Sequence, residues 1–82
     1  MVTYKILGWR DASFSDKDGL KISGYRVFVS FPVDPQYGSG EASKDFFLSE
    51  RKFSDLHPVV GMKVDLRYSA YKAGKVDEVI KL

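Results

Sequence analysis

Residues 61–82, GMKVDLRYSAYKAGKVDEVIKL, decide how this chain folds. Val64, Leu66 and Tyr68 alternate with Lys63, Asp65 and Arg67, the period of two that gives a strand one buried and one wet face. Lys72-Ala73-Gly74 breaks that pattern, and Val76, Ile80 and Leu82 resume it up to the last residue. Two strands joined by a tight turn are therefore expected to close the fold, with Tyr71, Lys72 and Lys75 grouped on the turn.

Upstream, Val2, Tyr4 and Ile6 alternate with Thr3 and Lys5, which predicts a first strand over Val2–Trp9. Gly8 then switches the apolar side to Leu7 and Trp9, the mark of a bulge or bend in a strand shared by two parts of a sheet. A polar run from Arg10 to Ser15 leads to Asp16-Lys17-Asp18-Gly19, where Asp-Gly supplies hairpin-turn geometry. Leu20–Val33 reads as a long second strand that bends at Gly24, with Tyr25, Val27, Val29 and Phe31 on one side and Arg26, Phe28 and Ser30 on the other. Residues 34–40 form a loop, because one proline and two glycines disfavour regular pairing over so short a span. A third strand is expected over Lys44–Leu48, and Ser49–Leu56 reads as a short helix capped by serine before His57-Pro58. Tyr4, Val27, Val29, Phe31, Phe46, Val64 and Leu66 are the expected core.

Eighty-two residues make a single domain, 1–82, with one modest core. A chain of 44% hydrophobic and 15% aromatic residues can bury such a core and fold alone or as a small oligomer such as a homodimer. Cysteine is absent, which excludes disulfides, thiolate nucleophiles and cysteine-ligated metals and suits a reducing cytoplasm. No stretch approaches the roughly 18 apolar residues of a membrane span, so neither secretion nor membrane insertion is expected. The net charge of +2 is small, yet it is unevenly spread: +2 over residues 1–33, −2 over 34–59 and +2 over 60–82.

Five strands with a helix between the third and fourth define an all-β, five-stranded Greek-key barrel of OB-fold-like order. An SH3-like barrel is the competitor, but a helix at that position is not expected of it. Catalytic chemistry is sparse. His57 is the one histidine and stands in a connection, while Gly38-Ser39-Gly40 lacks the strand-to-helix context of a nucleophile elbow. Asp16 and Asp18 begin no complete calcium loop, and no phosphate-binding glycine pattern occurs. Neither enzyme activity nor a cofactor nor a metal is expected.

What the chain does carry is aromatic residues beside bases: Trp9-Arg10, Tyr25-Arg26 with Phe28, Arg67-Tyr68, and Tyr71-Lys72 with Lys75. Single-stranded nucleic acid is gripped by that combination, since unpaired bases stack on rings and phosphates need cations. The segments DGLKISGYRVFVSF and HPVVGMKVDLRYSAYKAGKVDEVIKL together resemble small OB-fold single-stranded DNA-binding proteins of phages and conjugative elements. That resemblance implies a binding face on the second and third strands and the rim loops, at Lys21, Tyr25, Arg26, Phe28 and Phe47, with Tyr71, Lys72 and Lys75 on the last turn. Trp9 and Arg10 complete the candidate set by their place beside a bend. The expected function is non-enzymatic binding of single-stranded DNA with little sequence preference, RNA being the alternative polymer. A structural or protein-interaction barrel, such as a phage or plasmid accessory protein, is the rival, and it predicts exposed rings set apart from the cations.

Overall fold

A computed structural model describes residues 3–82; Val2, placed by its alternation in the first strand, lies outside them. The chain is mostly β, with one short helix. Its strands are β1 (Tyr4–Asp11), β2 (Phe14–Ser15), β3 (Lys21–Ile22), β4 (Gly24–Pro32) and β5 (Glu41–Ser49), followed by helix α1 (Glu50–Leu56), β6 (Lys63–Tyr68) and β7 (Val76–Lys81). Five of the strands make one antiparallel sheet in the order β5-β4-β1-β6-β7, and β2 and β3 form a separate small hairpin.

The hydrophobic period sets the core. Ile6, Val27, Val29, Phe46, Leu48, Val64, Leu66 and Val76 are buried together on one face of the sheet. Tyr4 and Phe31, expected in that core, pack instead at its margin, with ring centroids 5.4 Å apart. Along β1 the register to β4 slips between Ile6 and Gly8, so Leu7 is the extra residue of a bulge. Before the bulge β1 pairs with both β4 and β6; beyond it, only with β4. The bend anticipated at Gly8 is therefore what lets one strand serve both halves of the sheet.

The turn at Asp16 is held by its own side chain. Asp16 Oδ1 accepts from the backbone N–H of Asp18 at 3.0 Å and of Leu20 at 2.9 Å, while Gly19 takes a φ of 82°. The expected continuous strand over Leu20–Val33 is divided at Ser23. There the Gly24 N–H turns to Ser13 Oγ at 3.4 Å and the Gly24 carbonyl accepts from Ala12 N–H at 3.0 Å, which folds β2–β3 back against the end of β1. The third strand is longer than Lys44–Leu48, because the β4 ladder continues to Pro32↔Glu41 at one end and Gly24↔Ser49 at the other.

Helix α1 begins where serine was expected to cap it: Ser49 Oγ accepts from Lys52 N–H at 3.4 Å. It packs on β4, β5 and β7. A closed barrel is not found; β5 and β7 approach each other as the two edges of the sheet, and no ladder joins them. Instead α1, which follows β5 directly, packs against both edge strands and bridges them. Lys52 Nζ donates to the Asp77 carbonyl at 2.6 Å across this seam. An open cavity of about 630 Å³ runs beside it, lined by Leu48, Leu56, Val79 and Ile80 among others.

The antiparallel registers also fix two ends. The β2–β3 hairpin and α1 stand at the C-terminal end of β1, whereas the β4–β5 loop and the β6–β7 turn stand at its N-terminal end.

Candidate nucleic-acid interface

The face of β1, β4 and β5 turned away from the core carries the cations and rings. Because side chains alternate along a strand and match across a ladder, the register Arg10↔Arg26↔Phe47 forms one cross-strand row. Gly8↔Phe28↔Asp45 forms the next. Two arginines directly opposite each other repel, so without an anion this row costs stability. Arg26 is offset by Asp45, whose Oδ2 lies 3.2 Å from Arg26 Nη1, with both side chains substantially exposed. Arg10 is exposed and has no acidic partner within 4 Å among the described residues.

Two glycines shape this face. A Cβ at Gly24 would lie 2.2 Å from the end of the Phe47 ring and 2.7 Å from the Leu48 carbonyl oxygen, so Phe47 can lie across the backbone only because residue 24 has no side chain. At Gly8, opposite Phe28, nothing stands within 4 Å of where a Cβ would be, and the flank of the half-buried Phe28 ring on that side is open. Phe14, from the small hairpin, meets Phe47 edge to face at 5.7 Å and stays 50% exposed. Lys21 is exposed on the paired strand of the same hairpin, but its partner is Ser15 while Phe14 pairs with Ile22, so it turns to the other side, toward Asp11, Tyr25 and Glu50. Arg10, Arg26, Phe28 and Phe47 are thus brought to one face, and Lys21 is not.

Trp9 and Tyr25 are not part of it. Both point to the core side, where the Phe53 ring of α1 sits at 5.4 Å edge-on to Trp9 and at 4.0 Å stacked on Tyr25. Their rings are engaged in seating the helix. Tyr71, 98% exposed, stands with exposed Lys72 and Lys75 on the β6–β7 turn, which Ser69 organises by accepting from the N–H groups of Tyr71 and Lys72 at 3.1 and 3.2 Å. That turn lies at the opposite end from Lys21 and Arg10, with the exposed face of β4 and β5 between them.

Two features escape sequence reasoning. Phe14 sits in a polar run without period, so nothing marks it before the hairpin is seen to fold over Phe47. Near the turn end, Lys44 Nζ hydrogen-bonds the Tyr68 hydroxyl and lies 4.5 Å from the Tyr68 ring centroid. This ammonium holds Tyr68 below the usual tyrosine pKa, whereas burial, with Tyr68 alongside, pushes the Tyr4 hydroxyl up. Only the cross-strand neighbourhood Val29↔Lys44 and Tyr4↔Val64 brings these three side chains together, and no local pattern announces it.

His57 terminates α1 in the left-handed region at φ 51°, with its Nδ1 against the Ser54 carbonyl. Among the described residues no group of three or more histidine, aspartate or glutamate side chains could hold a metal ion, and no helix is long and apolar enough to cross a membrane. Compared with known proteins, the chain matches no family model, no curated protein and no solved structure.

Proposed function

We propose that this protein is a non-enzymatic module that binds single-stranded DNA, with little sequence preference, across the exposed face of β1, β4 and β5. The observation that carries the reading is the row Arg10–Arg26–Phe47 next to Phe28: two opposed cations, of which only Arg26 has an acidic partner, flanked by partly exposed rings. Phosphates would relieve the repulsion, and bases would stack on Phe28 and on the Phe14–Phe47 pair. The strand order supports the same reading. β5-β4-β1-β6-β7 is what a five-stranded Greek-key barrel gives when it is opened between its third and fifth strands, and OB-folds are such partly open barrels. In OB-folds the second and third strands with the loops after the first and fourth hold oligonucleotides. The matching parts here are β4, β5, the β2–β3 hairpin and the β6–β7 turn. A cytoplasmic setting, as in small single-strand-binding proteins of phages and conjugative elements, fits the lack of cysteine.

A protein-interaction role is favoured by one separate observation. Leu7, Val59 and Val60 are exposed apolar side chains that flank the hydrogen bond from Gly61 N–H to the Ile6 carbonyl, away from the arginine row.

Fluorescence anisotropy with labelled single-stranded DNA, single-stranded RNA and duplex, each at two salt concentrations, tests the proposal. Binding to the single strands that weakens with salt and exceeds duplex binding is the expected outcome. Absence of any single-strand affinity at low salt sinks it and leaves the apolar patch as the better guide.

A further inference from the structure

The geometry points to Asp45 as a built-in competitor for nucleic-acid phosphate: a carboxylate that occupies Arg26 in the free protein and must give it up when a strand binds. The inference rests on the single-strand reading of the β1–β4–β5 face and concerns how tightly that face can hold its ligand.

Asp45 is directly opposite Phe28, the half-buried ring with open space on its Gly8 side. It is also the diagonal neighbour of Arg26, whose own cross-strand partners are Arg10 and Phe47. A base stacked on Phe28 would bring its phosphate into the neighbourhood of these arginines, and there Asp45 already holds one guanidinium at 3.2 Å. The pair is exchangeable rather than structural. The two side chains are 37% and 47% exposed, it is a single contact through one guanidinium nitrogen, and solvent screens it. A phosphate offers Arg26 the same kind of oxygen acceptor with more charge and a geometry suited to two parallel bonds. The exchange leaves the Asp45 carboxylate without its partner and next to an anion, so every binding event works against that repulsion.

The consequences are an affinity held down at this site and a shallow salt dependence. Arg26 enters the complex already neutralised by its own chain, and the released carboxylate then takes up a cation from solution. Arg26 therefore adds less than the roughly 0.7 per phosphate contact expected for the slope of log affinity against log salt on single strands. Arg10, which has no such partner, contributes in full.

The test compares the parent protein with Asp45→Asn, which keeps the shape and removes the charge, and with Asp45→Ala as a second variant. Fluorescein-labelled oligo-dT and a mixed-sequence strand of equal length serve as probes, with titrations at low and high salt. For both variants the expected result is binding about three- to tenfold tighter at low salt on either strand, with a steeper salt slope, while the melting temperature stays within a few degrees of the parent. In an Arg26→Ala background the gain from Asp45→Asn should fall below about twofold, because the competition is for Arg26. If the parent binds single strands and both variants bind no more tightly, Asp45 is no competitor and the single-strand reading is untouched. Weakening confined to one of the two strands also overturns the inference, since it would make Asp45 an acceptor for base amino groups. If the gain persists without Arg26, a general field effect replaces it. A parent without any single-strand affinity removes both readings together.

Discussion

The two faces of the same three strands behave as different materials. Trp9, Tyr25, Val27 and Phe46 point toward the core and α1, where the Phe53 ring is held between Trp9 and Tyr25. Their sequence neighbours Arg10, Arg26, Phe28 and Phe47 point the opposite way, into a partly exposed field of cations and rings. A side-chain period of two makes this unavoidable: residues adjacent in a strand cannot share a face. The lesson concerns what adjacency in sequence can signal. A ring next to a base along a strand is not a ring-and-base site; on this sheet such a site is made across the ladder, from Arg10, Arg26 and Phe47 on three strands.

The contrast is broken most severely by removing the core side. Leu66, 6% exposed and central in β6, lies in the cluster with Val64 and Val76. Leu66→Ala should cost about 2–5 kcal/mol, a large share of the stability available to so small a domain. Its thermal midpoint should fall by roughly 8 °C or more, on the basis of about 4–8 °C per kcal/mol for a domain of this size. A midpoint within a degree or two of the parent would mean that β6 does not face the core as described.

Trp9→Ala and Phe28→Ala, one from each face, sharpen it. Both delete a half-buried aromatic from adjoining strands, and the two rings point to opposite faces. Phe28→Ala should weaken single-strand binding by about 1–3 kcal/mol at every salt concentration, with a loss of stability smaller than that of Trp9→Ala. Trp9→Ala should do the reverse, loosening the seat of α1 with a clear loss of stability while the folded fraction binds as before. Circular dichroism melts and anisotropy on the same samples read both. Equal binding losses for the two variants would erase the distinction between the faces.

Much of the architecture was legible because the hydrophobic period carries it. Val64 and Leu66, the serine cap at Ser49, the turn at Asp16–Gly19 and the bulge next to Gly8 were each readable from local pattern, and each stands in the structure. Closure of the sheet was not, because it depends on how α1 sits between β5 and β7, which no local period records. The candidate site was half legible. The period of two puts Arg26 and Phe28 on one side of their strand, and the β4–β5 register agrees. Trp9, a candidate for its place beside a bend, and Tyr25, one the resemblance implies, fall on the other side of the sheet against Phe53. Phe14 and the Asp45–Arg26 pair needed the registers between strands, which are tertiary facts.

The smallest expected effect divides the exposed surface itself. Arg10 sits at the hairpin end of the sheet and Lys72 on the β6–β7 turn at the other end of a molecule 47 Å in its longest dimension. If each contacts one phosphate, replacing either by alanine should lower the slope of log affinity against log salt by about 0.7. The two contacts differ in reach. From Arg26, opposite Arg10, to the end of β4 at Pro32 there are six residues, or about 20 Å at roughly 3.3 Å per residue. A strand too short to cross that distance while stacked on Phe28 cannot touch Lys72. The Arg10→Ala change should therefore appear with short and long oligonucleotides alike, whereas Lys72→Ala should change the slope only once the strand is long enough to reach the turn. A Lys72 effect that is already full with the shortest strand that binds would place the bound segment around the turn, and the β1–β4–β5 face would no longer be where the strand is held.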